Sequence, residues 1–61
     1  MTTFAVSITD TMDGDDIHKL YVGEDFQTAL DIAFDARAKK DWRGKWIKFV
    51  TPEKVKWARI S

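Results

Sequence analysis

Hydrophobic and polar positions alternate at the start of the chain. Phe4, Val6 and Ile8 are separated by the small or polar Ala5 and Ser7, and this period of two predicts a half-buried strand over Thr3–Thr9. The segment "IHKLYV", residues 17–22, reads as a second, returning strand. The intervening "DTMDGDD" carries an Asp13-Gly14 turn signal. Two registers are open to this hairpin. A three-residue connection sets Ile8 opposite Leu20 and Val6 opposite Val22, whereas a two-residue turn sets Lys19 opposite Ile8. Burial of apolar side chains on one face favours the first, because a one-residue slip moves a strand's side chains to the other face.

The period then changes. Over residues 25–40, "DFQTALDIAFDARAKK", Phe26, Ala29, Leu30, Ala33, Phe34 and Ala36 recur at three- and four-residue spacing, while Gln27, Asp31, Asp35 and Lys39 collect on the opposite side. This predicts an amphipathic helix ending near Lys40, with Asp25 as its N-cap. Acids precede bases as the helix dipole favours, and Asp35 and Lys39 form an (i, i+4) pair.

The C-terminal third returns to period two. "KWIKFVT" and "VKWARI" read as strands joined by a turn in which Pro52 pre-sets the backbone. With Pro52 and Glu53 as the central turn residues, Trp46 faces Arg59, Lys48 faces Trp57 and Val50 faces Val55. One face then holds Ile47, Phe49, Ala58 and Ile60, and the other holds Trp46, Lys48, Val50, Val55, Trp57 and Arg59. The predicted architecture is a single α+β domain over residues 1–61, ββαββ, with a mainly antiparallel sheet and one helix packed on one face. Trp42, just past the helix, is expected to pack against the helix end.

Composition narrows the chemistry. With 61 residues and no cysteine, there is neither a disulfide framework nor a thiolate nucleophile, which suits a reducing cytoplasm. No apolar run approaches the roughly 18 residues of a membrane span, and no membrane partner is expected. The lone His18 has no nucleophile in a recognisable motif beside it. Asp31 and Asp35 sit on a predicted solvent face without the burial that tunes a catalytic carboxylate. The acidic loop fails as an EF-hand, since counting from Asp13 places Ile17 and His18 where a ligand and a glycine are needed. Gly14, Gly23 and Gly44 form no phosphate-cradling pattern. No catalytic residue, metal or cofactor is expected, and an enzyme is not.

Charge is the feature that total composition hides. The net charge is zero, yet residues 1–38 carry two cations against eight carboxylates, and residues 39–61 carry eight against two, for −6 and +6. Such asymmetry points to a charged partner, or to halves that lie side by side and neutralise each other. The basic half holds all three tryptophans, Trp42, Trp46 and Trp57. Trp and Arg are enriched at binding hot spots, and aromatics among cations also stack on single-stranded nucleic acid. The candidate partner-binding residues are therefore Trp46, Lys48, Trp57 and Arg59 on one strand face, with Arg43 and Lys45 beside them. Paired across the strands as Trp46 with Arg59 and Trp57 with Lys48, they could equally be cation–π contacts that shield the hairpin.

The order strand, acidic loop, strand, then "VGEDFQTALDIA", then "WRGKWIKFVTPEKVKWARI", resembles small bacteriophage-encoded inhibitors of host machinery. Some type I anti-CRISPR proteins and the short RNA-polymerase inhibitor of lytic coliphages have this look, with an alanine-rich helix carrying an "AL" pair, here Ala29-Leu30, and a strand opened by a glycine, here Gly44. The resemblance implies a non-catalytic protein in the cytoplasm of a bacterial host cell, binding a host protein or nucleoprotein complex and blocking its access to nucleic acid. Either the acidic side, with Asp31 and Asp35, imitates phosphates, or the Trp46, Lys48, Trp57, Arg59 face docks; the second is favoured because −6 over 38 residues is thin for a mimic. The alternative is direct nucleic-acid binding, with Arg43, Lys45, Lys48, Lys56 and Arg59 on phosphates. The chain is expected to be a monomer or a weak homodimer, the latter joining acidic half to basic half.

Overall fold

The computed structural model describes residues 2–60. The most regular apolar alternation, in the first strand, becomes the centre of the sheet. Strands β1 (Phe4–Thr9), β2 (Asp16–Gly23), β3 (Trp46–Val50) and β4 (Val55–Arg59) form one four-stranded sheet in the order β2-β1-β3-β4. Every neighbouring pair is antiparallel. Helix α1 (Phe26–Arg37) carries the chain from β2, across β1, to β3. Because β2 and β3 both run against β1, they are parallel to each other, and the helix is the crossover of a split β-α-β unit.

Helix α1 packs across β2, β1 and β3. It presents Ala29 and Ala36, which are fully buried, to Val6 and Ile8 of β1 and Ile47 of β3. Alanine at both helix positions lets the helix approach closely. Ile60, just after β4, completes the buried cluster, and Phe4, Leu20, Tyr21, Ile32, Trp42 and Phe49 pack around it half-buried. Each fully buried Val or Ile contributes roughly 1.5–3 kcal/mol relative to exposure. In a domain this small, a handful of such residues decides whether the chain folds.

Local chemistry sets the helix ends. The Asp25 carboxylate accepts from the Gln27 amide at 3.2 Å and from the Thr28 hydroxyl, so it is the N-cap. Its own N–H donates to the Tyr21 hydroxyl at 3.2 Å. Tyr21 reaches that position by folding over Gly23, where a Cβ would meet the ring carbon Cζ at 2.7 Å. The helix ends at Arg37, three residues before the predicted Lys40. A 3₁₀ turn over Lys40–Trp42 then brings Trp42 against the core, since an indole gains more by packing there than two lysines gain by extending the helix. Gly44 follows with φ +85°, a left-handed conformation that favours glycine. Its N–H donates to the Ile60 carbonyl at 2.8 Å, tying the start of β3 to the end of β4.

The two hairpins treat sequence-based register differently. The β3–β4 pairing is the predicted one, Trp46 with Arg59, Lys48 with Trp57 and Val50 with Val55. Its turn is closed by the Thr51 N–H to the Lys54 carbonyl at 2.8 Å and by the Lys54 N–H to the Thr51 hydroxyl at 3.1 Å. In the β1–β2 pairing neither expected register occurs. Val6 faces Tyr21 and Ile8 faces His18, because the register shifts twice, between Val6 and Ser7 and between Ile8 and Thr9. These irregularities place Tyr21 and His18 on the helix side. They also move Val22, expected opposite Val6 in the core, onto the open face, where it is 65% exposed. A second correction concerns the helix: Phe26 and Phe34, assigned to its buried stripe, are 49% and 60% exposed. Period 3.6 reports the apolar arc of a helix, not how much of that arc the sheet covers.

Candidate functional site: the open face of the sheet

Among the described residues, no helix or strand lies over the face of the sheet opposite α1. Strand alternation and register arrange its side chains in three rows running across β2, β1, β3 and β4. The first row is Asp16, Thr9, Trp46 and Arg59. The second is Lys19, Ser7, Lys48 and Trp57. The third is Val22, Ala5, Val50 and Val55, apolar throughout.

The middle of this face is a floor of small residues from β1. Ser7 and Thr9 are 4% and 0% exposed although no helix covers them. They are flanked on both sides by larger residues of β2 and β3, and the Lys48–Asp16 ion pair spans β1 from one of these strands to the other. The Thr9 hydroxyl, with no partner across the sheet, donates to the Thr11 carbonyl at 2.9 Å, so its burial leaves no polar atom unsatisfied.

Lys48 organises the second row. Its ammonium lies 3.3 Å from the Asp16 carboxylate and 5.9 Å from the centroid of the Trp57 indole. It is held between a carboxylate on one edge strand and an aromatic ring on the other, with the Ser7–Thr9 floor beneath. Arg59 is exposed and stands opposite half-buried Trp46. Of the two cross-strand cation–π pairs the sequence suggests, Lys48 with Trp57 is the one recorded among the described residues.

The six sequence-predicted site residues thus fall into two groups. Trp46, Lys48, Trp57 and Arg59 share the open face. Arg43 and Lys45 lie in the segment that enters β3, next to the Trp46–Arg59 end. Arg43 is exposed, whereas Lys45 is bound to Asp10 at 2.6 Å. Both ion pairs among the described residues join the acidic half to the basic half, so part of the charge asymmetry is neutralised within the chain. Asp16, Lys19 and Val22 belong to the face as well and were not foreseen. Their placement depends on the β1–β2 irregularities, for which the sequence has no local signal.

Trp42 stands apart from this site. It packs on the core side with its ring 5.2 Å from that of His18, and its Nε1 is buried without a hydrogen-bond partner. Among the described residues no three His, Asp or Glu side chains cluster at metal-holding distance, and no helix is long and apolar enough to cross a membrane. No protein-family model matches this chain, and no curated protein or solved structure matches it significantly.

Proposed function

We propose that this chain is a non-catalytic binding protein that docks, through the open face of its sheet, on a bacterial protein complex that handles nucleic acid and blocks that complex's access to its substrate. The observation that carries the docking face is the uncovered array of Trp46 and Trp57 with the apolar row Val22, Val50 and Val55, in which Val55 is 44% exposed on the same strand as Trp57 and Val22 is 65% exposed at the far edge. Two indoles bordered by an apolar row on one side, with Arg59 and Arg43 at the other end of the face, supply the aromatic and arginine anchors that protein–protein hot spots favour. The bacteriophage setting, with an anti-CRISPR role as the first specific reading, rests on the resemblance of residues 15–60 to such inhibitors and not on this geometry. Inhibition would be steric, by occupation of a surface that nucleic acid otherwise reaches.

A protein partner is favoured over direct nucleic-acid binding by the state of the cations. Of the five proposed to meet phosphates, Lys45 and Lys48 are engaged by Asp10 and Asp16, and Asp16 itself lies on the same face. A carboxylate beside a phosphate path repels it, and a lysine already paired must give up its carboxylate before it can neutralise a phosphate and displace that phosphate's counterion. Titration of the intrinsic tryptophan fluorescence with single- and double-stranded oligonucleotides at about 50 and 200 mM salt tests this. The fluorescence should not respond. Saturable quenching that weakens steeply with salt would replace the protein-docking reading with direct nucleic-acid binding.

A further inference from the structure

The helix side of the sheet is not fully covered either. Between α1 and the β3–β4 hairpin runs an open groove of about 640 Å³. Its wall is Phe26, Leu30 and Phe34, spaced i, i+4 and i+8 along the helix, and its floor is Ile47, Phe49 and Ala58. Phe26 lies edge-on to Phe4 and Phe49, at 5.3 and 6.0 Å between centroids, while Phe34 has 60% of its surface in solvent. The rim carries Arg37, Lys54 and Lys56 against a single acid, Glu53. Neither ion pair among the described residues uses these cations.

We infer that this groove is closed by a second copy of the chain, with α1 of each copy lying antiparallel in the groove of the other about a two-fold axis. The groove needs an apolar ridge about as long as the five-residue strands beneath it, roughly 17 Å, bordered by carboxylates to meet the rim. Helix α1 has those properties: its 12 residues span about 18 Å. Its Phe26–Leu30–Phe34 ridge is flanked, on the side away from its own sheet, by exposed Gln27, Asp31 and Asp35, with Gln27 Nε2 donating to Asp31 at 3.0 Å. In an antiparallel pair centred on Leu30, each Phe34 meets the other copy's Phe26, and each Arg37 falls beside the other copy's Glu24. The carboxylates of Asp31 and Asp35 then face the Lys54 and Lys56 rim. This is helix-in-groove recognition supplied by one chain twice, and a two-fold contact closes on itself instead of propagating.

Other self-associations fit less well. Pairing β4 with its own copy is discouraged by the cations along that edge, Lys54, Lys56 and Arg59, which are of the kind that protect sheet edges from joining. The zero net charge opposes no approach of two copies. The dimer goes beyond the sheet-face reading and uses the opposite side of the sheet, so either can fail without the other.

Sedimentation equilibrium across a micromolar-to-millimolar series of the full chain is the test. Wild type should move from 7.1 kDa toward twice that mass. Phe34→Glu, at an exposed position, should stay monomeric with an unchanged far-ultraviolet circular dichroism spectrum. Lys56→Glu should weaken the dimer roughly tenfold, and adding Asp31→Lys should restore it to within about threefold, as expected for one cross-interface charge pair. A wild type that is monomeric throughout, a dimer indifferent to Phe34→Glu, or a charge swap that does not restore association would each overturn the inference.

Discussion

Trp46 and Ile47 are adjacent in β3, yet they serve opposite sides of one sheet. Ile47 is 3% exposed beneath α1, among Val6, Ile8 and Ala36. Trp46 is half-buried on the open face, beside Thr9 of β1 and Arg59 of β4. The fully buried side chains of the helix side are aliphatic and carry no polar group, and the buried Nε1 of Trp42 at their margin is left without a partner. The open side is built the other way, with small residues of β1 at its centre, larger polar and amphipathic side chains on the flanking strands, and the Lys48–Asp16 pair spanning between them. The second arrangement buries Ser7 and Thr9 without consuming the outer surfaces of the indoles. The core needs none of Trp46, Trp57 or the three open-face valines, and this leaves a tryptophan-bearing face free for the partner proposed above.

Substitutions on the two faces should separate stability from binding. The largest expected effect is on the helix side: Ile8→Ala or Ile47→Ala should cost about 2–5 kcal/mol, comparable to the roughly 3–5 kcal/mol a core this small supplies. Urea unfolding followed by circular dichroism should find either variant largely unfolded, and a loss under about 1 kcal/mol would show that the helix face is not the core. On the open side, Trp46→Ala with Trp57→Ala should cost about 1–2 kcal/mol, well below the 3–5 of a fully buried aromatic, while removing the proposed binding surface. Asp25→Ala, which uncaps α1, should destabilise by about 1 kcal/mol without touching the open face. The smallest change should come from Asp16→Asn, under about 1 kcal/mol for a solvent-accessible pair, and the difference from wild type should shrink further in high salt.

These two faces were not equally legible in the sequence. In the β3–β4 hairpin, a Pro52-Glu53 turn and strict alternation were enough to place Trp46, Lys48, Trp57 and Arg59 together and Ile47 and Phe49 opposite them. In the β1–β2 hairpin the same reasoning misplaced Val22, because two register shifts that no turn residue announces carried it from the core to the surface. The helix and its Asp25 cap follow from local pattern, but the exposure of Phe34 depends on where a distant hairpin lies. The ion pairs were equally hidden. Lys45 reaches Asp10 across 35 residues and Lys48 reaches Asp16 across 32, contacts that only the strand order β2-β1-β3-β4 brings into range. What the sequence reports well is periodicity within an element; which cation is already neutralised belongs to topology.

The most direct test of the division between the two faces is affinity capture from bacterial lysate, with and without nuclease, using folded baits matched by circular dichroism: wild type, the Trp46→Ala, Trp57→Ala double variant, and Phe34→Glu. Wild type and Phe34→Glu should recover the same protein partner regardless of nuclease, and the double tryptophan variant should lose it. Recovery of that partner undiminished by the double variant would contradict the assignment of the open sheet face as the binding surface.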